Sequence, residues 1–260
     1  MSDALLLERH GETATLTLNR PEKRNAITLE MYRAFPEHLR QVEEDRGTKV
    51  LILRGAGDCA FAAGADIREF EQVRATAADA KVYNQHVAAA EQALAGLSKP
   101  TIAMVHGYCI GGGCGLATAC DFRFSAETGK FGITPAKLGL VYSLESTKRL
   151  VDLAGPATAK YILMSGRQLP AQRAYEVGLV DELHSAAELD DATNKFAELL
   201  STRAQYSVRA VKQIIRRIEE GQPHDDEETR RIRNDSFDTE DYAEGVRAFL
   251  ERREPHFTWT

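Results

Sequence analysis

Three consecutive glycines, Gly111 to Gly113, constrain the fold of this chain more than any other feature of its sequence. The apolar segment 101–105 precedes them, and the small residues of segment 114–120 follow them. A strand that enters a glycine-rich turn and continues as a helix directs backbone N–H groups towards one point, where developing negative charge is stabilised. The glycines could instead serve only to let a helix pack closely against its neighbours.

Glycine-rich turns between a strand and a helix also occur in nucleotide-binding proteins, but neither nucleotide motif is complete here. A P-loop requires Gly-Lys followed by Ser or Thr, and no such residues follow Gly113. The dinucleotide-binding fingerprint requires Gly or Ala where this chain has Thr118. The turn therefore needs another explanation.

A second turn of small residues, Ala63-Gly64-Ala65-Asp66, also follows a predicted strand and precedes a predicted helix. Two such turns can direct two backbone N–H groups at a single oxygen atom. One donor of this kind lowers the barrier of a reaction that forms an oxyanion by about 3 kcal/mol. We therefore predict that the two turns meet in the folded protein.

Strands alternate with helices in the N-terminal part of the chain. Segments 4–9 and 13–19 predict two strands around a turn, and the apolar run 50–53 predicts a strand buried on both faces. An alanine-rich stretch at 77–97 predicts a long helix. From Glu145 onward the pattern is helical. This order predicts an α/β core followed by an α-helical C-terminal region.

The C-terminal helices are predicted over segments 145–154, 156–165, 171–177, 187–202, 204–221 and 239–252. Charged residues become more frequent near residue 200. We therefore divide the chain into a core, residues 1–200, and a C-terminal helical region, residues 201–260.

The composition is ordinary for a soluble globular protein, with 43% hydrophobic and 28% charged residues. A formal net charge of −6 argues against a general nucleic-acid binder. No apolar run approaches the ~20 residues that span a bilayer, and no signal peptide is evident, so we expect no membrane association. The 4 cysteines form no Cys-x-x-Cys pair, which favours reduced, buried side chains, no metal site and a cytoplasmic location.

Several motifs follow one another in a set order between residues 4 and 183. They are Asn19-Arg20-Pro21 with Asn25-Ala26, Phe61-Ala62-Ala63-Gly64-Ala65-Asp66-Ile67, Lys99-Pro100-Thr101-Ile102-Ala103, Gly107-Tyr108 with Gly111-Gly112-Gly113-Cys114, Ala119-Cys120-Asp121, and Gly178-Leu179-Val180. In these motifs the chain resembles the crotonase (enoyl-CoA hydratase/isomerase) superfamily. The resemblance implies a crotonase-type ββα-superhelix core, an acyl-CoA thioester substrate, and a homotrimer or a homohexamer.

The same resemblance implies roles for residues of the two turns. The N–H groups of Ala65 and Gly112 would form an oxyanion hole for the enolate of the thioester. The coenzyme A chain would lie along two segments, whose candidate contact residues are Lys23, Arg24, Ala26, Ala63, Gly64, Asp66 and Ile67. We expect no metal or redox cofactor, with coenzyme A present only as part of the substrate.

The chain departs from the hydratases at both of their catalytic glutamates. Gly115 stands where the first is expected, and alignment on Phe131-Gly132 and Leu138-Gly139 places Pro135 at the second. Syn addition of water requires a carboxylate to deprotonate the water and an acid to protonate the α-carbon. Neither glycine nor proline can do either, so the usual hydratase mechanism is not expected.

The run from Thr134 to Leu144 is similar to the methylmalonyl-CoA decarboxylase branch, which also lacks the first glutamate. Decarboxylation needs an oxyanion hole but no base, and a glutamate roughly 4 Å from the substrate carboxylate would repel it by about 4 kcal/mol. Gly115 would leave room for that carboxylate, and Tyr142 and Thr134 could donate hydrogen bonds to it. One departure is that the branch has a histidine where this chain has Ala65.

Three of these residues also have simpler interpretations. Tyr142 could be a half-buried aromatic whose hydroxyl reaches water, and Thr134 could only fix a turn before a proline. Glu145 could be a helix N-terminal charge stabilised by the dipole, or a relocated acid/base. The hypotheses are therefore decarboxylation of a short malonyl-type CoA, enoyl-CoA hydration or isomerisation using Glu145, and an acyl-CoA-binding pseudoenzyme.

Overall fold

The computed structural model describes residues 3–258, whose strands form two sheets flanked by helices. The strands are β1 (Leu5–His10), β2 (Thr13–Leu18), β3 (Val50–Gly55), β4 (Ala60–Ala62), β5 (Thr101–Val105), β6 (Tyr108–Ile110), β7 (Phe122–Ala126), β8 (Lys130–Gly132), β9 (Leu169–Pro170) and β10 (Glu182–His184). The α-helices are α1 (Leu29–Glu44), α2 (Phe70–Val73), α3 (Ala77–Gly96), α4 (Gly112–Ala119), α5 (Leu144–Ser165), α6 (Ala171–Glu176), α7 (Leu189–Ser201), α8 (Gln205–Glu219), α9 (Glu227–Asp235) and α10 (Glu240–Glu251).

The two sheets are built mainly from parallel strands. The larger has the order β1-β2-β3-β5-β7-β10, in which the β1–β2 pair is antiparallel and the other pairs are parallel. The smaller has the order β4-β6-β8-β9, with β9 antiparallel to its neighbour. Parallel strands need crossover connections, and here helices supply most of them. The predicted α/β class with a helical C-terminal region is confirmed.

Strand β3 is buried on both faces, as its apolar sequence predicts. Leu51 and Leu53 belong to the main core shared with α1, α3 and α4. Val50 and Ile52 face the opposite side and pack in a second core under α7. Full burial of one such side chain contributes about 1.5–3 kcal/mol. The larger sheet therefore lies between the main core and the core under α7.

Helix α1 begins directly after Thr28, and threonine is a residue type favoured at the N-cap position. The Thr28 hydroxyl accepts a hydrogen bond from the Met31 N–H at 3.2 Å, which caps the helix. The buried face of α1 includes Tyr32 and Phe35. The centre of the Tyr32 ring lies 5.9 Å from the centre of the Tyr83 ring on α3. Helices α1 and α3 therefore pack together beside the glycine-rich turn.

Two predictions about the rest of the chain are wrong. Helix α9 was not predicted, because its sequence is mostly charged and Ile232 is the one apolar side chain that it buries. Cys59 is exposed rather than buried, whereas the other three cysteines are buried. The predicted break at Gly155 is present, where a φ of 75° interrupts the helical conformation of α5. Between residues 3 and 258, the helices lack the length or apolar character to span a lipid bilayer.

Candidate active site

The turn that follows β4 forms the first half of the candidate site. The Ile27 N–H donates to the Gly64 carbonyl (2.8 Å), and the Asp66 N–H donates to the Ile27 carbonyl (2.9 Å). These bonds flank Ala65, which forms a parallel bridge with Ile27, so the Ala65 N–H points to the opposite side. Across residues 3–258 no backbone acceptor is found for that N–H, which leaves it available to a ligand.

The N-terminus of α4 forms the second half. Gly111 precedes the helix with a φ of 54°, a conformation that favours glycine. Helix α4 begins at Gly112, whose N–H lies in the first turn and therefore has no acceptor within the helix. The Gly111 carbonyl accepts a helical bond from the Gly115 N–H at 3.0 Å. The Gly112 N–H therefore points out of the start of the helix.

The two turns touch at the glycines that precede Ala65 and Gly112. Strands β4 and β6 are parallel neighbours, so the chain leaves both at the same edge of the smaller sheet. A Cβ atom on Gly64 would lie 3.2 Å from the Ile110 carbonyl oxygen, and one on Gly111 would lie 3.7 Å from the Gly64 Cα. The backbones of the two turns are therefore in contact, and Ala65 and Gly112 each follow a contact residue.

The two segments predicted to hold coenzyme A run side by side. Ala63 donates from its N–H to the Arg24 carbonyl at 2.9 Å. Lys23 ends an exposed 3-10 turn, and Arg24 follows it with a left-handed φ of 50°. The Arg24 guanidinium lies 5.4 Å from the centre of the Tyr108 ring. Two cationic side chains are therefore exposed at one end of this pair of segments.

Asp66 is paired rather than available to a substrate. It forms an ion pair with Arg20 at 2.9 Å, and Arg20 also donates to the Ala26 carbonyl at 2.7 Å. Asp66 also accepts from the Arg68 N–H at 3.3 Å. The Arg20–Asp66 pair thus ties the two predicted coenzyme A segments together. Ile67, the next residue after Asp66, is 56% exposed and offers apolar surface.

The space beside Gly115 is filled, contrary to the prediction that it is left for a substrate carboxylate. A Cβ atom on Gly115 would overlap Oε1 of Glu91 and would lie 2.8 Å from the Tyr142 hydroxyl oxygen. A glutamate from α3 therefore occupies the direction in which a side chain at position 115 would project. The site does not lack a carboxylate, and the repulsion argument for decarboxylation loses its premise.

Glu91 is hydrogen-bonded through one of its two oxygens. Oε2 accepts from the Ser146 hydroxyl (2.6 Å) and from the Arg149 guanidinium (2.9 Å). Oε1 is buried and has no hydrogen-bond partner within residues 3–258. Burial raises the pKa of the Glu91 carboxyl, an effect that Ser146 and Arg149 oppose and that the negative charge of Glu145 increases. Arg149 also lines a cavity of about 1040 Å³ next to α8.

The sequence-based prediction did not include Glu91, although the sequence contains a signal for it. The buried side chains of α3 include Tyr83, Ala90 and Leu94. With 3.6 residues per turn, position 91 lies about two turns after Tyr83 and one turn before Leu94, on the same helix face. A glutamate at such a position is rarely buried unless it is paired.

Two tyrosine hydroxyls lie close to α4 and form a cluster with Glu91. The Tyr142 hydroxyl donates to the Gly111 carbonyl at 3.0 Å, so its proton is directed at the backbone of the turn rather than at water. The Tyr32 hydroxyl lies where a Cβ atom on Gly112 would be. Tyr32 was not predicted, because its position on α1 reads as part of an apolar stripe. Burial raises the pKa of both phenols, so both are protonated at neutral pH.

Thr134 and Glu145 lie on either side of Tyr142 in the chain. Thr134 precedes the short 3-10 turn Pro135–Leu138. Glu145 lies in the first turn of α5 with an exposed side chain, as the helix-dipole interpretation predicts. The carboxylate that would touch a side chain at Gly115 is that of Glu91.

Known proteins resemble this chain along nearly its whole length. A sequence model of the enoyl-CoA hydratase/isomerase family matches residues 8–259. The chain is 33% identical over 257 residues to the crotonyl-CoA hydratase of Syntrophomonas wolfei, covering 97% of both chains. It is 34% identical over 260 residues to the carnitinyl-CoA dehydratase of Salmonella agona, covering 98% of both.

Solved structures agree with this resemblance. An enoyl-CoA hydratase/isomerase family protein from Hyphomonas neptunium superimposes with a TM-score of 0.96 at 38% identity, covering 99% of this chain and 98% of that one. An enoyl-CoA hydratase/carnitine racemase from Magnetospirillum magneticum gives a TM-score of 0.95 at 38% identity, covering 100% and 97%. The predicted crotonase fold is therefore confirmed, and this chain belongs to the enoyl-CoA hydratase/isomerase family of acyl-CoA-processing enzymes.

Proposed function

We propose that the protein binds an acyl-CoA thioester with its carbonyl oxygen between the N–H groups of Ala65 and Gly112, and that it stabilises the enolate formed there. The contact between Gly64 and Gly111 supports this proposal, because Ala65 and Gly112 directly follow these glycines and neither N–H group has a backbone acceptor within residues 3–258. Donors fixed in this way stabilise charge as it develops without having to reorganise. The names of the hydratase and dehydratase relatives support a CoA thioester as the substrate class.

The coenzyme A part of the substrate is proposed to lie along residues 23–27 and 63–67. The exposed side chains of Lys23 and Arg24 would meet its phosphates, since both cations bind phosphate oxygens. The exposed Ile67 offers apolar contact nearer to the thioester. The proposed chemistry uses no metal or redox cofactor, and coenzyme A enters only with the substrate.

Proton transfer at the carbon next to the thioester carbonyl is the reaction we favour for this enolate, as in hydration or isomerisation of an enoyl-CoA. Its support is the buried carboxylate of Glu91 beside Gly115. Decarboxylation of a short malonyl-type CoA is a second candidate. Its support is the Tyr142 hydroxyl, which adjoins both Gly115 and Gly111 and could turn towards a substrate carboxylate.

Removal of one N–H group tests the oxyanion hole. Proline is favoured at the first residue of a helix, so Gly112→Pro deletes this N–H and is compatible with α4. Its side chain would overlap the Tyr32 hydroxyl, so the variant is made in a Tyr32→Phe background with Tyr32→Phe alone as the reference. We expect turnover to fall by about 10²- to 10³-fold. A folded variant that retains the reference rate would contradict the proposal.

A substrate panel identifies the reaction. Purified protein is offered crotonyl-CoA, a 3-enoyl-CoA, malonyl-CoA and methylmalonyl-CoA, and the products are followed by mass spectrometry. Water addition or double-bond migration supports proton transfer, whereas loss of carbon dioxide that Tyr142→Phe abolishes supports decarboxylation. Tight binding of thioesters without turnover would leave the acyl-CoA-binding pseudoenzyme, and the absence of binding would overturn the proposed function.

We also propose that the protein assembles as a homotrimer or a homohexamer. Large apolar side chains are exposed on α8 and α10, and contiguous patches of this kind mark interfaces. They are Val211, Ile215, Ile218, Val246, Phe249 and Leu250. Light scattering should give three or six times the chain mass of 28.8 kDa, and a monomer would contradict this assignment.

A further inference from the structure

We propose that Glu91 is the catalytic acid/base that moves a proton to and from the carbon next to the thioester carbonyl. This inference rests on the proposed enolate chemistry and adds the group that makes and breaks the C–H bond. Nothing at positions 115 and 135 can supply that group, because they hold glycine and proline. The carboxylate comes instead from a different element, α3.

The position of Glu91 relative to the two turns supports this role. Oε1 of Glu91 and the hydroxyl of Tyr142 both lie within contact distance of the point where a Gly115 side chain would begin. Gly115 is one helical turn from Gly112, and the Tyr142 hydroxyl donates to the Gly111 carbonyl at 3.0 Å. A thioester whose oxygen lies at the Gly112 N–H would therefore have its reacting carbons on the side of α4 where Oε1 lies.

The two oxygens of Glu91 have different environments, which suits a proton carrier. Oε2 is held by the Ser146 hydroxyl and the Arg149 guanidinium, which orient the carboxyl group. Oε1 is buried without a hydrogen-bond partner in the described part of the chain. A buried acceptor left unbonded is unfavourable and uncommon in folded proteins. A substrate C–H or an added water molecule would complete its contacts.

The proposed step balances without any further reactant. The carboxylate form of Glu91 accepts the α-proton, so the C–H bond breaks and an O–H bond forms on Oε1. The electron pair moves onto the thioester oxygen, where the N–H groups of Ala65 and Gly112 hold the charge. Return of the proton to the same carbon regenerates the thioester. Return to the γ-carbon of a β,γ-unsaturated thioester moves the double bond.

The other carboxylates near the site are less suited to this step. Asp66 forms an ion pair with Arg20 at 2.9 Å and accepts a backbone N–H bond. Glu145 is exposed in the first turn of α5, so it is solvated. Burial raises the pKa of Glu91, which makes its conjugate base stronger.

Hydrogen exchange at the α-carbon tests the proposal without requiring the natural substrate. Butyryl-CoA is incubated with the protein in deuterium oxide, and incorporation of deuterium is followed by NMR. We expect Glu91→Gln to lower the exchange rate by about 10²- to 10⁴-fold while butyryl-CoA still binds, because the amide cannot carry the proton. The matched control is Glu244→Gln, which alters another buried, arginine-paired glutamate on α10 and should leave exchange unchanged.

The outcomes separate this inference from the proposed function. If butyryl-CoA does not bind to the unmodified protein, the proposed function is wrong. If it binds and exchanges equally well in Glu91→Gln, or does not exchange in the unmodified protein, then the role of Glu91 is wrong while the acyl-CoA site stands.

A second variant returns the carboxylate to the same place from another element. Gly115→Glu in a Glu91→Ala background restores a carboxylate on α4 and removes the nearer of the two side chains in its way; the other, Tyr142, lies 2.8 Å from the new Cβ atom through the end of its side chain. We expect exchange at least tenfold faster than in Glu91→Ala alone. The comparison of this double variant with Glu91→Ala also tests the role of Glu91 if Glu91→Gln fails to fold. A folded double variant with no recovery would argue against a proton carrier at this point.

Discussion

Two buried glutamates of this protein pair with arginines, yet they differ in how completely their oxygens are bonded. Glu91 is 3% exposed and Glu244 is 8% exposed. Glu244 accepts from Arg253 at 2.6 Å and 3.0 Å, from the His256 N–H at 2.9 Å, and from Arg247. Both of its oxygens are therefore bonded, whereas within residues 3–258 Glu91 is bonded through Oε2 alone.

The pKa values of the two carboxyl groups shift in opposite directions for this reason. Arg253, together with the His256 N–H and Arg247, holds the pKa of Glu244 well below its usual range. Burial raises the pKa of Glu91 above its usual value. The fully bonded carboxylate of Glu244 holds residues 253–256 against α10. A partly bonded one opposes folding, and such groups are found where a protein uses the carboxylate for binding or catalysis.

The largest effect on stability is expected from a methyl group added beside Glu91. Gly115→Ala places a Cβ atom against the Glu91 carboxylate and the Tyr142 hydroxyl. Overpacking of this kind lowers the free energy of unfolding by about 1–3 kcal/mol, which is larger on average than the gain of about 0.5–1 kcal/mol from helix propensity. Urea unfolding measures the difference. An unchanged or raised stability would show that Glu91 does not occupy this space.

Gly245→Ala is the matched change next to Glu244. A Cβ atom on Gly245 would lie 3.6 Å from the Phe257 ring, an ordinary contact, and Gly245 is in the interior of α10. We expect the free energy of unfolding to rise by about 0.5–1 kcal/mol, because alanine has the higher helix propensity. A loss as large as that of Gly115→Ala would mean that helix context, and not the neighbouring carboxylate, determines the effect.

The parts of the fold that the sequence predicts correctly have short-range signals. The apolar run of β3 and the Thr28 cap of α1 are examples, since each depends on residues close together in the chain. Helix α9 was missed because Ile232 is its one apolar residue, so its sequence contains no apolar stripe. Its N-terminus is held by a capping box at Asp226 and Thr229, which is a weaker signal in a charged segment.

In the candidate site, too, only features with a short-range signal could be predicted from the sequence. Both small-residue turns could be found from the sequence, because glycines after strands are a local signal. The partnership of Glu91 with Gly115 could not, because it joins residues of different helices, and a missing side chain does not reveal what fills its place. The prediction that Gly115 leaves room for a substrate carboxylate is wrong, because the Glu91 carboxylate fills that space.

A smaller and opposite pair of effects is expected when each carboxylate is made neutral. At pH 8, Glu91→Gln should raise the free energy of unfolding, because it removes a charge that burial disfavours while its amide oxygen can still accept from Ser146. Glu244→Gln should lower it, because Arg253 loses its charged partner. Thermal unfolding of both variants measures the signs. If both variants change the free energy of unfolding in the same direction, the two carboxylates do not differ in their effect on stability.

The pH dependence of these two differences gives the finest test. Because the folded pKa of Glu91 is raised, the native state binds more protons than the unfolded chain above about pH 4.3, and stability falls as the pH rises through the raised pKa. The advantage of Glu91→Gln should therefore be absent near pH 4 and grow towards neutral pH.

Glu244 should behave in the opposite way over the acid range. Its folded pKa is lowered, so its contribution to stability is present above about pH 4.3 and is lost as the pH falls through the lowered pKa. The loss of stability in Glu244→Gln should therefore be greatest at neutral pH and shrink in acid. Urea unfolding of the three proteins between pH 2 and pH 8 measures both trends. The advantage of Glu91→Gln and the loss in Glu244→Gln should both grow as the pH rises. The free energies of unfolding of the two variants should therefore depart from that of the unmodified protein in opposite directions. If all three proteins show the same pH dependence, neither carboxyl group titrates differently on folding.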